Sequence, residues 1–143
     1  MIGIEVVSEA TPELHAALAR LLPQLNPDLP VPNEDRVRAL IDDPAVTLLL
    51  AKDGDEVVGT AAVVVYTIPF WIKARIEDVV VDQSSRGKGV GEALVNACVD
   101  VARKRGAQVV ELQSAKHREA ANRLYRRVGF QQRESNLYRM TLD

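Results

Sequence analysis

The feature that most constrains the fold is a β-rich run followed by closely spaced glycines and a long helical pattern. Residues 75–81 have the character of a buried strand, and residues 87–91 contain three glycines at alternate positions. An amphipathic pattern of helical period then extends over residues 89–105, and a second β-rich run occupies residues 109–113. A strand, a helix and a strand in this order predict a parallel pair joined by a right-handed crossover.

The remaining elements complete a single α/β domain over residues 1–143. A short first strand precedes two helices, which begin at the N-cap residues Thr11 and Asn33. A Lys-Asp-Gly-Asp turn then joins two strands as a hairpin. The sequence also predicts a helix over residues 118–128 and a last strand within residues 132–142. The order β-α-α-β-β-β-α-β-α-β predicts a mixed sheet flanked by helices.

Composition limits the classes of partner. The chain has 18 Lys and Arg against 20 Asp and Glu, for a formal net charge of −2. Proteins that bind phosphate backbones usually have a basic excess, so a nucleic-acid partner is not expected. No apolar run approaches the ~20 residues that span a bilayer, and the N-terminus lacks a signal-peptide pattern, so no membrane association is expected. The one cysteine, Cys98, fits a reducing cytoplasm and lies on an apolar helix face, where we expect it in the core.

The glycine-rich turn has the chemistry of a diphosphate cradle. Helix N-termini present unpaired N–H groups and partial positive charge, glycines allow close approach, and Arg86 and Lys88 add full charges. A nucleotide P-loop would need Ser or Thr after the lysine, where this chain has Gly89. A dinucleotide fingerprint that starts at Gly89 would need Gly or Ala at the position of Leu94. Spacing therefore argues against both alternatives.

Two segments together resemble the signatures of the GNAT superfamily of acetyltransferases. Arg86-Gly87-Lys88-Gly89-Val90-Gly91 is similar to the acetyl-CoA signature Arg/Gln-x-x-Gly-x-Gly/Ala. Residues 121–130, Ala-Asn-Arg-Leu-Tyr-Arg-Arg-Val-Gly-Phe, resemble the second signature Ala-x-x-Leu/Phe-Tyr-x-x-x-Gly-Phe. The resemblance covers residues 46–142 firmly. It implies a single-domain GNAT-like α/β fold with an acetyl-CoA cleft between two splayed parallel strands.

The resemblance also implies a set of acetyl-CoA contacts. The sequence has no cluster of metal-ligating residues, so no metal is expected. The strand that ends at Val81 would hold the pantetheine arm, and the N–H of Val79 would point at the thioester carbonyl. The position of a family asparagine that bonds the cofactor is Arg118 here, so either Asn122 takes over that contact or Arg118 meets a phosphate. The expected cofactor-binding residues are Val79, Val80, Val81, Arg86, Gly87, Lys88, Gly89, Val90, Gly91, Arg118 and Asn122.

The resemblance assigns two catalytic candidates. Tyr125 would be the general acid for the departing thiolate, whereas helical spacing alone would place it in the core. Glu77 would be the base and would act through water. Strand alternation predicts that Glu77 lies on the same side as Val79, with Asp78 facing the other way. The alternative for Glu77 is a solvated or salt-bridged strand carboxylate.

The acceptor is expected to be a primary amine of a small molecule or a peptide. By resemblance, Tyr66, Phe70, Trp71 and Asp78 are candidate acceptor contacts, and ordinary packing or a dimer contact is the alternative for the aromatic residues. A homodimer is suggested by the resemblance alone. Two other functions stay open: a non-catalytic acyl-CoA sensor, and a toxin-type acetyltransferase that acts on aminoacyl-tRNA.

Overall fold

The structure, a computed structural model, describes all 143 residues and forms two compact units, Met1–Gln113 and Ser114–Asp143. The first unit contains nine regular elements and the second contains one helix. The elements of the first unit are β1 (Ile2–Val6), α1 (Pro12–Leu25), α2 (Glu34–Asp42), β2 (Val46–Asp53), β3 (Glu56–Thr67), β4 (Ile72–Val81), a 3-10 turn (Gln83–Ser85), α3 (Val90–Lys104) and β5 (Val109–Leu112), and the second unit contains α4 (Glu119–Val128). A single domain over the whole chain stays a prediction.

The five strands form one mixed sheet in the order β1-β2-β3-β4-β5. The first three pairings are antiparallel, and β4 pairs with β5 in parallel. The helix α3 connects the two parallel strands, as the sequence predicts. The predicted mixed α/β sheet is therefore confirmed.

Helices cover both faces of this sheet. On one face, Leu14 and Leu18 of α1 pack with Leu50 of β2 in a buried apolar cluster that also contains residues of α2. Leu50 is paired with Thr60, so the neighbouring Gly59 faces the opposite side. There the side chains of α3 approach Gly59 closely, which places α3 on the second face. The sheet is thus the middle layer of a three-layer arrangement, with α1 and α2 on one face and α3 on the other.

Local sequence signals account for the helix boundaries and for the core. The hydroxyl of Thr11 accepts a hydrogen bond from the N–H of Leu14 at 3.1 Å, and Asn33 Oδ1 accepts one from the N–H of Arg36 at 2.8 Å. Both predicted N-caps are confirmed. Cys98 is fully buried, and this burial raises the pKa of its thiol to about 12, so the core position is confirmed as well.

The predicted strand within residues 132–142 is wrong. Residues 130–143 have no helix or strand, and Leu137, Tyr138 and Met140 are exposed. The apolar pattern supplies side chains that suit a strand, but a strand also needs a neighbouring backbone whose N–H and C=O groups it can bond. No helix of the chain combines the length and the apolar character that crossing a bilayer requires.

Candidate functional site

The strand β4 has an edge that is only partly paired. Its parallel pairing with β5 joins residues 73–76 to residues 109–112 and stops there, whereas β4 continues to Val81. From Glu77 onward, the edge of β4 that faces β5 has no partner strand. Backbone groups on such an edge can bond a ligand that lies along it. Val79, Val80 and Val81, the residues predicted to hold the pantetheine arm, all belong to this stretch.

A bulge at Asp78 changes the direction of the side chains along β4. Ala62 is paired with Glu77 and Thr60 with Val80, so β4 has one residue more than β3 over this interval. Asp78 has φ of 52°, the left-handed region that Asp tolerates better than most residues. Directly paired residues share a face, so Glu77 shares a face with Val80. The expectation that Glu77 and Val79 lie on one side is wrong, because the bulge interrupts the alternation.

The charged side chains of β4 and β5 are mostly paired with one another. Arg75 Nε lies 3.2 Å from Glu77 Oε1, and Arg75 Nη2 donates a hydrogen bond to Gln113 Oε1 at 3.2 Å. Lys73 Nζ lies 2.6 Å from Glu111 Oε1. Glu77 is therefore salt-bridged, as one alternative for it anticipated, and the salt bridge still leaves its second carboxylate oxygen for water or substrate.

Asp78 lies beside this network and is exposed. Partial burial of its carboxyl raises the pKa of Asp78 above the ordinary value, and the adjacent negative charge of Glu77 raises that pKa further. The folded protein therefore binds a proton at Asp78 more tightly than the unfolded chain does. Between the ordinary and the raised pKa, the stability of the protein falls as the pH rises.

The substitution Asp78→Asn tests this linkage. Asn tolerates the same left-handed conformation but cannot ionise, so the variant loses the pH-dependent penalty. We expect the free energy of unfolding of the variant, relative to that of the wild type, to increase as the pH is raised from about 3 to about 7. Urea unfolding at a series of pH values measures this difference. A difference that stays constant over the whole range would contradict the raised pKa.

The loop after β4 presents free backbone N–H groups at the start of α3. Gly87 and Gly89 have φ of 79° and 82°, which glycine adopts without a steric penalty. The first bond within α3 runs from the N–H of Ala93 to the carbonyl of Gly89, and no side chain caps the helix. The N–H groups of Val90 and Gly91 therefore have no acceptor within the helix. Gly91 lies in this first turn, and Val90 is buried.

The loop has room for a diphosphate. A Cβ added at Gly87 or Gly89 would meet no atom within 4 Å, so the backbone on this side is open to a ligand. Arg86 and Lys88 are both exposed and flank the free N–H groups. Amides at a helix N-terminus with two nearby cations suit a diphosphate. No group of three or more His, Cys, Asp or Glu could hold a metal ion.

In the second unit, the end of α4 fixes the environment of Tyr125. The Tyr125 carbonyl accepts hydrogen bonds from the N–H groups of Gly129 at 3.2 Å and Phe130 at 2.9 Å. Gly129 has φ of 123°, which turns the chain back so that the Phe130 ring meets the Tyr125 ring edge-on at 6.2 Å. Tyr125 is buried. The Gly-Phe pair therefore has a structural function: it packs the tyrosine ring.

The two cofactor candidates at the start of α4 stay predictions. The Asn122 amide donates to the carbonyl of Ala115 at 3.0 Å, which ties the helix to the segment before it. Arg118 is the N-cap residue of α4, and its side chain makes no capping hydrogen bond. Asn122 thus has a structural partner within its own unit.

The aromatic candidates lie far from the bulge along the strand. Ile68 and Trp71 exchange backbone hydrogen bonds at the tip of the β3–β4 hairpin, and the Phe70 side chain is 88% exposed. Asp78 follows Trp71 by seven residues of extended chain, which corresponds to roughly 20 Å. Tyr66 is paired with Lys73, also near the tip. The structure does not bring these aromatic residues to the end of β4 that carries Glu77 and Asp78.

Sequence reasoning missed two residues of α1 that contact the loop. Arg20 and Gln24 bond Asp82 and Gln83, the residues that connect β4 to the glycines. Polar residues four apart on a helix predict a solvated face, so the spacing alone gave no reason to single them out. Only the tertiary packing of α1 beside the end of β4 makes them neighbours of the loop.

These features define an α/β protein with a diphosphate-type loop at the end of a partly unpaired strand. The model of the Acetyltransferase (GNAT) family matches residues 12–130. The chain belongs to this family and contains its acetyltransferase domain. The family and the class of enzyme that the two sequence signatures predict are therefore confirmed.

Individual relatives agree with this assignment. The chain is 39% identical over 61 residues to the uncharacterized N-acetyltransferase MJ1207 of Methanocaldococcus jannaschii, a match that covers 43% of this chain and 27% of that protein. A putative acetyltransferase from Agrobacterium tumefaciens has a TM-score of 0.86 at 23% identity, covering 97% of this chain and 99% of the other. An aminoglycoside acetyltransferase, AAC(6')-Iy, in complex with a CoA-containing bisubstrate analog, has a TM-score of 0.82 at 16% identity over 100% and 99% of the two chains. At these identities the likeness of the structures shows the fold.

Proposed function

We propose that the protein transfers the acetyl group of acetyl-CoA to a primary amine of a small molecule or a peptide, by direct attack on the thioester. The observation that carries the proposal is that the unpaired edge of β4 leads directly into the uncapped N-terminus of α3. A pantetheine arm needs an extended strand edge, and a diphosphate needs the free amides of a helix N-terminus. Here the two features follow one another in the chain.

The diphosphate of acetyl-CoA binds to the amides of residues 87–91. Their N–H groups donate to the phosphate oxygens, and the partial positive charge of the helix N-terminus adds to the attraction. Arg86 and Lys88 contribute full charges at the rim of the loop. The left-handed conformations of Gly87 and Gly89 support this assignment, because residues in this conformation can turn successive amides toward one concave side.

The thioester lies beside the bulge in β4. The N–H of Val79 donates to the thioester carbonyl, where negative charge develops as the amine attacks. The amine nitrogen forms a bond to the carbonyl carbon, the C–S bond breaks, and its electron pair goes to the sulfur. The bulge supports this assignment, because the extra residue at Asp78 changes which way the following backbone groups point.

Two side chains move the protons. Tyr125 donates a proton to the departing thiolate, since a phenol with its ordinary pKa near ~10 can protonate a thiolate and recover the proton from solvent. Glu77 accepts the proton of the attacking amine through water, with Arg75 holding one of its carboxylate oxygens. An alkyl amine has an ordinary pKa near ~10 and must lose a proton before it attacks.

The acceptor stays a proposal at the level of a primary amine. Asp78, exposed and outside the ion pairs of β4 and β5, is the proposed contact for an incoming ammonium group. Tyr66, Phe70 and Trp71 are proposed contacts only for an acceptor long enough to reach the hairpin tip. A cytoplasmic location and a homodimer stay predictions.

The test compares two glycines that share a conformation but differ in place. Gly89 in the loop and Gly54 in the β2–β3 hairpin have φ of 82° and 63°, and neither has an atom within 4 Å of an added Cβ. Alanine at either position should lower the free energy of unfolding by about 1 kcal/mol. Only Gly89→Ala should weaken acetyl-CoA binding, by about tenfold, because it distorts the amides that hold the diphosphate.

Calorimetry with acetyl-CoA measures the dissociation constants, and release of free thiol measures turnover with a panel of amines. The panel contains polyamines, amino sugars, amino acids, peptides and an aminoacyl-tRNA. Turnover with one amine class and a selective defect in Gly89→Ala would support the proposal. A wild-type protein that does not bind acetyl-CoA, or equal affinities in the two variants, would refute the assigned loop. Binding without turnover on any amine would favour the sensor function instead.

A further inference from the structure

The loop that follows β4 is tied to α1 through one carboxylate. Asp82 accepts a hydrogen bond from the Arg20 guanidinium at 2.6 Å, and its other oxygen lies 3.5 Å from the Gln24 amide nitrogen. The same oxygen accepts from the N–H of Ser84 at 3.4 Å. The Asp82 side chain is only 14% exposed, so this ion pair is better shielded from solvent than an ordinary surface pair.

Two further bonds extend the contact to the loop backbone and to β3. Gln24 Oε1 accepts a hydrogen bond from the N–H of Gln83 at 2.9 Å. The second terminal nitrogen of Arg20 donates to the carbonyl of Val57 at 2.6 Å. We name the four residues Arg20, Gln24, Asp82 and Gln83 the α1–loop clamp. It joins the helix, the beginning of β3 and the start of the glycine-rich loop.

A loop with this sequence needs such a restraint. Glycines have more backbone freedom than other residues, so a loop that contains Gly87 and Gly89 loses more conformational entropy when it becomes ordered. The uncapped start of α3 offers no side-chain bond to hold it. A restraint that orders the loop before the ligand arrives lowers the entropic cost of binding. Arg20 and Gln24 hydrogen-bond to residues 82 and 83, at the start of the 3-10 turn that precedes the glycines.

We propose that Arg20 and Gln24 are positioning residues, which act through Asp82 and Gln83 to hold the diphosphate loop in its binding conformation. This inference rests on the proposed function, since it assumes that the loop binds acetyl-CoA. Neither residue needs to touch acetyl-CoA. The clamp therefore governs the affinity for acetyl-CoA and not the chemical step, and the effect of Arg20 on the loop passes through the carboxylate of Asp82.

The substitution Arg20→Met tests the clamp against a matched control. Arg38→Met removes another arginine that is ion-paired with an aspartate, Asp35, on α2, far from the loop in sequence. Arg20→Met should raise the dissociation constant of acetyl-CoA about tenfold and leave kcat at saturating acetyl-CoA within about twofold, while Arg38→Met changes neither. Arg20→Lys keeps the positive charge but cannot donate two hydrogen bonds from separate terminal nitrogens. It should weaken acetyl-CoA binding only about threefold.

Amide hydrogen exchange without ligand separates the clamp from the proposed function. In Arg20→Met, residues 82–91 should exchange faster than in the wild type, while β2 and β3 keep their protection. This measurement does not depend on acetyl-CoA. It therefore tests whether the clamp orders the loop even if the wild type fails to bind that ligand. Unchanged exchange in the loop would overturn the inference. If Arg20→Met does not fold, Arg20→Lys gives the same comparison with a smaller expected change.

A double-mutant cycle tests whether Arg20 acts through Asp82. If it does, the effects of Arg20→Met and Asp82→Asn on the dissociation constant should not multiply, because each removes the same ion pair. The double variant should then bind acetyl-CoA within about twofold of the weaker single variant. Effects that multiply in full would show that Arg20 does not act through Asp82 and would overturn the proposed route.

Discussion

Replacing Tyr125 with Phe should lower kcat by about 100-fold or more and leave the dissociation constant of acetyl-CoA nearly unchanged. The substitution removes only the hydroxyl group, which is the proposed proton donor to the departing thiolate, and general acid catalysis typically contributes ~10²–10⁴ in rate. The ring itself stays, so the edge-on contact with Phe130 and the hydrogen bonds to the Tyr125 carbonyl are kept. The fold of α4 should therefore survive the change.

Thiol release from acetyl-CoA with the best amine of the panel measures this effect, and calorimetry measures the affinity. Tyr138→Phe is the matched control, because Tyr138 is 86% exposed and lies outside every helix and strand. The control should keep the wild-type kcat. If Tyr125→Phe turns over as fast as the control, Tyr125 is not the general acid. If it loses affinity and rate in equal measure, the tyrosine serves ligand binding and not proton transfer.

The parts of the fold that depend on local chemistry could be predicted from the sequence. A Thr before a Pro and an acidic residue specifies the start of α1, and Asn33 specifies the start of α2 in the same way. The apolar face of α3 places Cys98 in the core, because helical period determines which side chains turn inward. Gly87 and Gly89 also adopt the left-handed conformation, which glycine adopts without a steric penalty.

The bulge at Asp78 could not be predicted, because it is a property of two strands together. Residues 76–81 are compatible with regular alternation, and regular alternation places Glu77 and Val79 on one side. The pairing of Thr60 with Val80 and of Ala62 with Glu77 requires one extra residue in β4. The side chains of Glu77 and Val79 therefore lie on different faces of the sheet. The N–H of Val79, the candidate oxyanion donor, lies in the plane of the sheet, so the bulge does not separate it from either face.

The sequence does not indicate the α1–loop clamp, and it wrongly predicts a strand in the C-terminal segment, for related reasons. The Arg20–Asp82 contact joins residues 62 positions apart, and nothing in the local sequence of α1 singles out either its arginine or its glutamine. In residues 132–142, by contrast, a strand-like pattern was present but does not form a strand. The periodicity of a segment indicates only which of its own side chains can share a face. A salt bridge or a sheet pairing also depends on a partner that is distant in the sequence.

Replacing Gly59 with Ala should produce a large loss of stability, because α3 packs directly on this glycine. An added Cβ would lie 3.0 Å from the carbonyl oxygen of Val80, 3.0 Å from Leu94 Cδ1 and 3.1 Å from Val90 Cγ1. The Val80 oxygen belongs to the backbone of β4 and cannot rotate away as a flexible side chain could. Overpacking of this kind typically costs about 1–3 kcal/mol. Val90 is the first residue of α3, so the strain also falls on the helix N-terminus that is proposed to bind the diphosphate.

Gly3→Ala is the matched control for this prediction. Gly3 also lies in a strand, but an added Cβ there would meet no atom within 4 Å, and alanine reduces the freedom of the unfolded chain. Urea unfolding should therefore show a lower midpoint for Gly59→Ala and an unchanged or slightly higher midpoint for Gly3→Ala. Acetyl-CoA should also bind more weakly to Gly59→Ala, because its helix N-terminus is displaced from β4. Equal midpoints for the two variants would mean that α3 does not pack as closely on β3 as the positions of Leu94 and Val90 indicate.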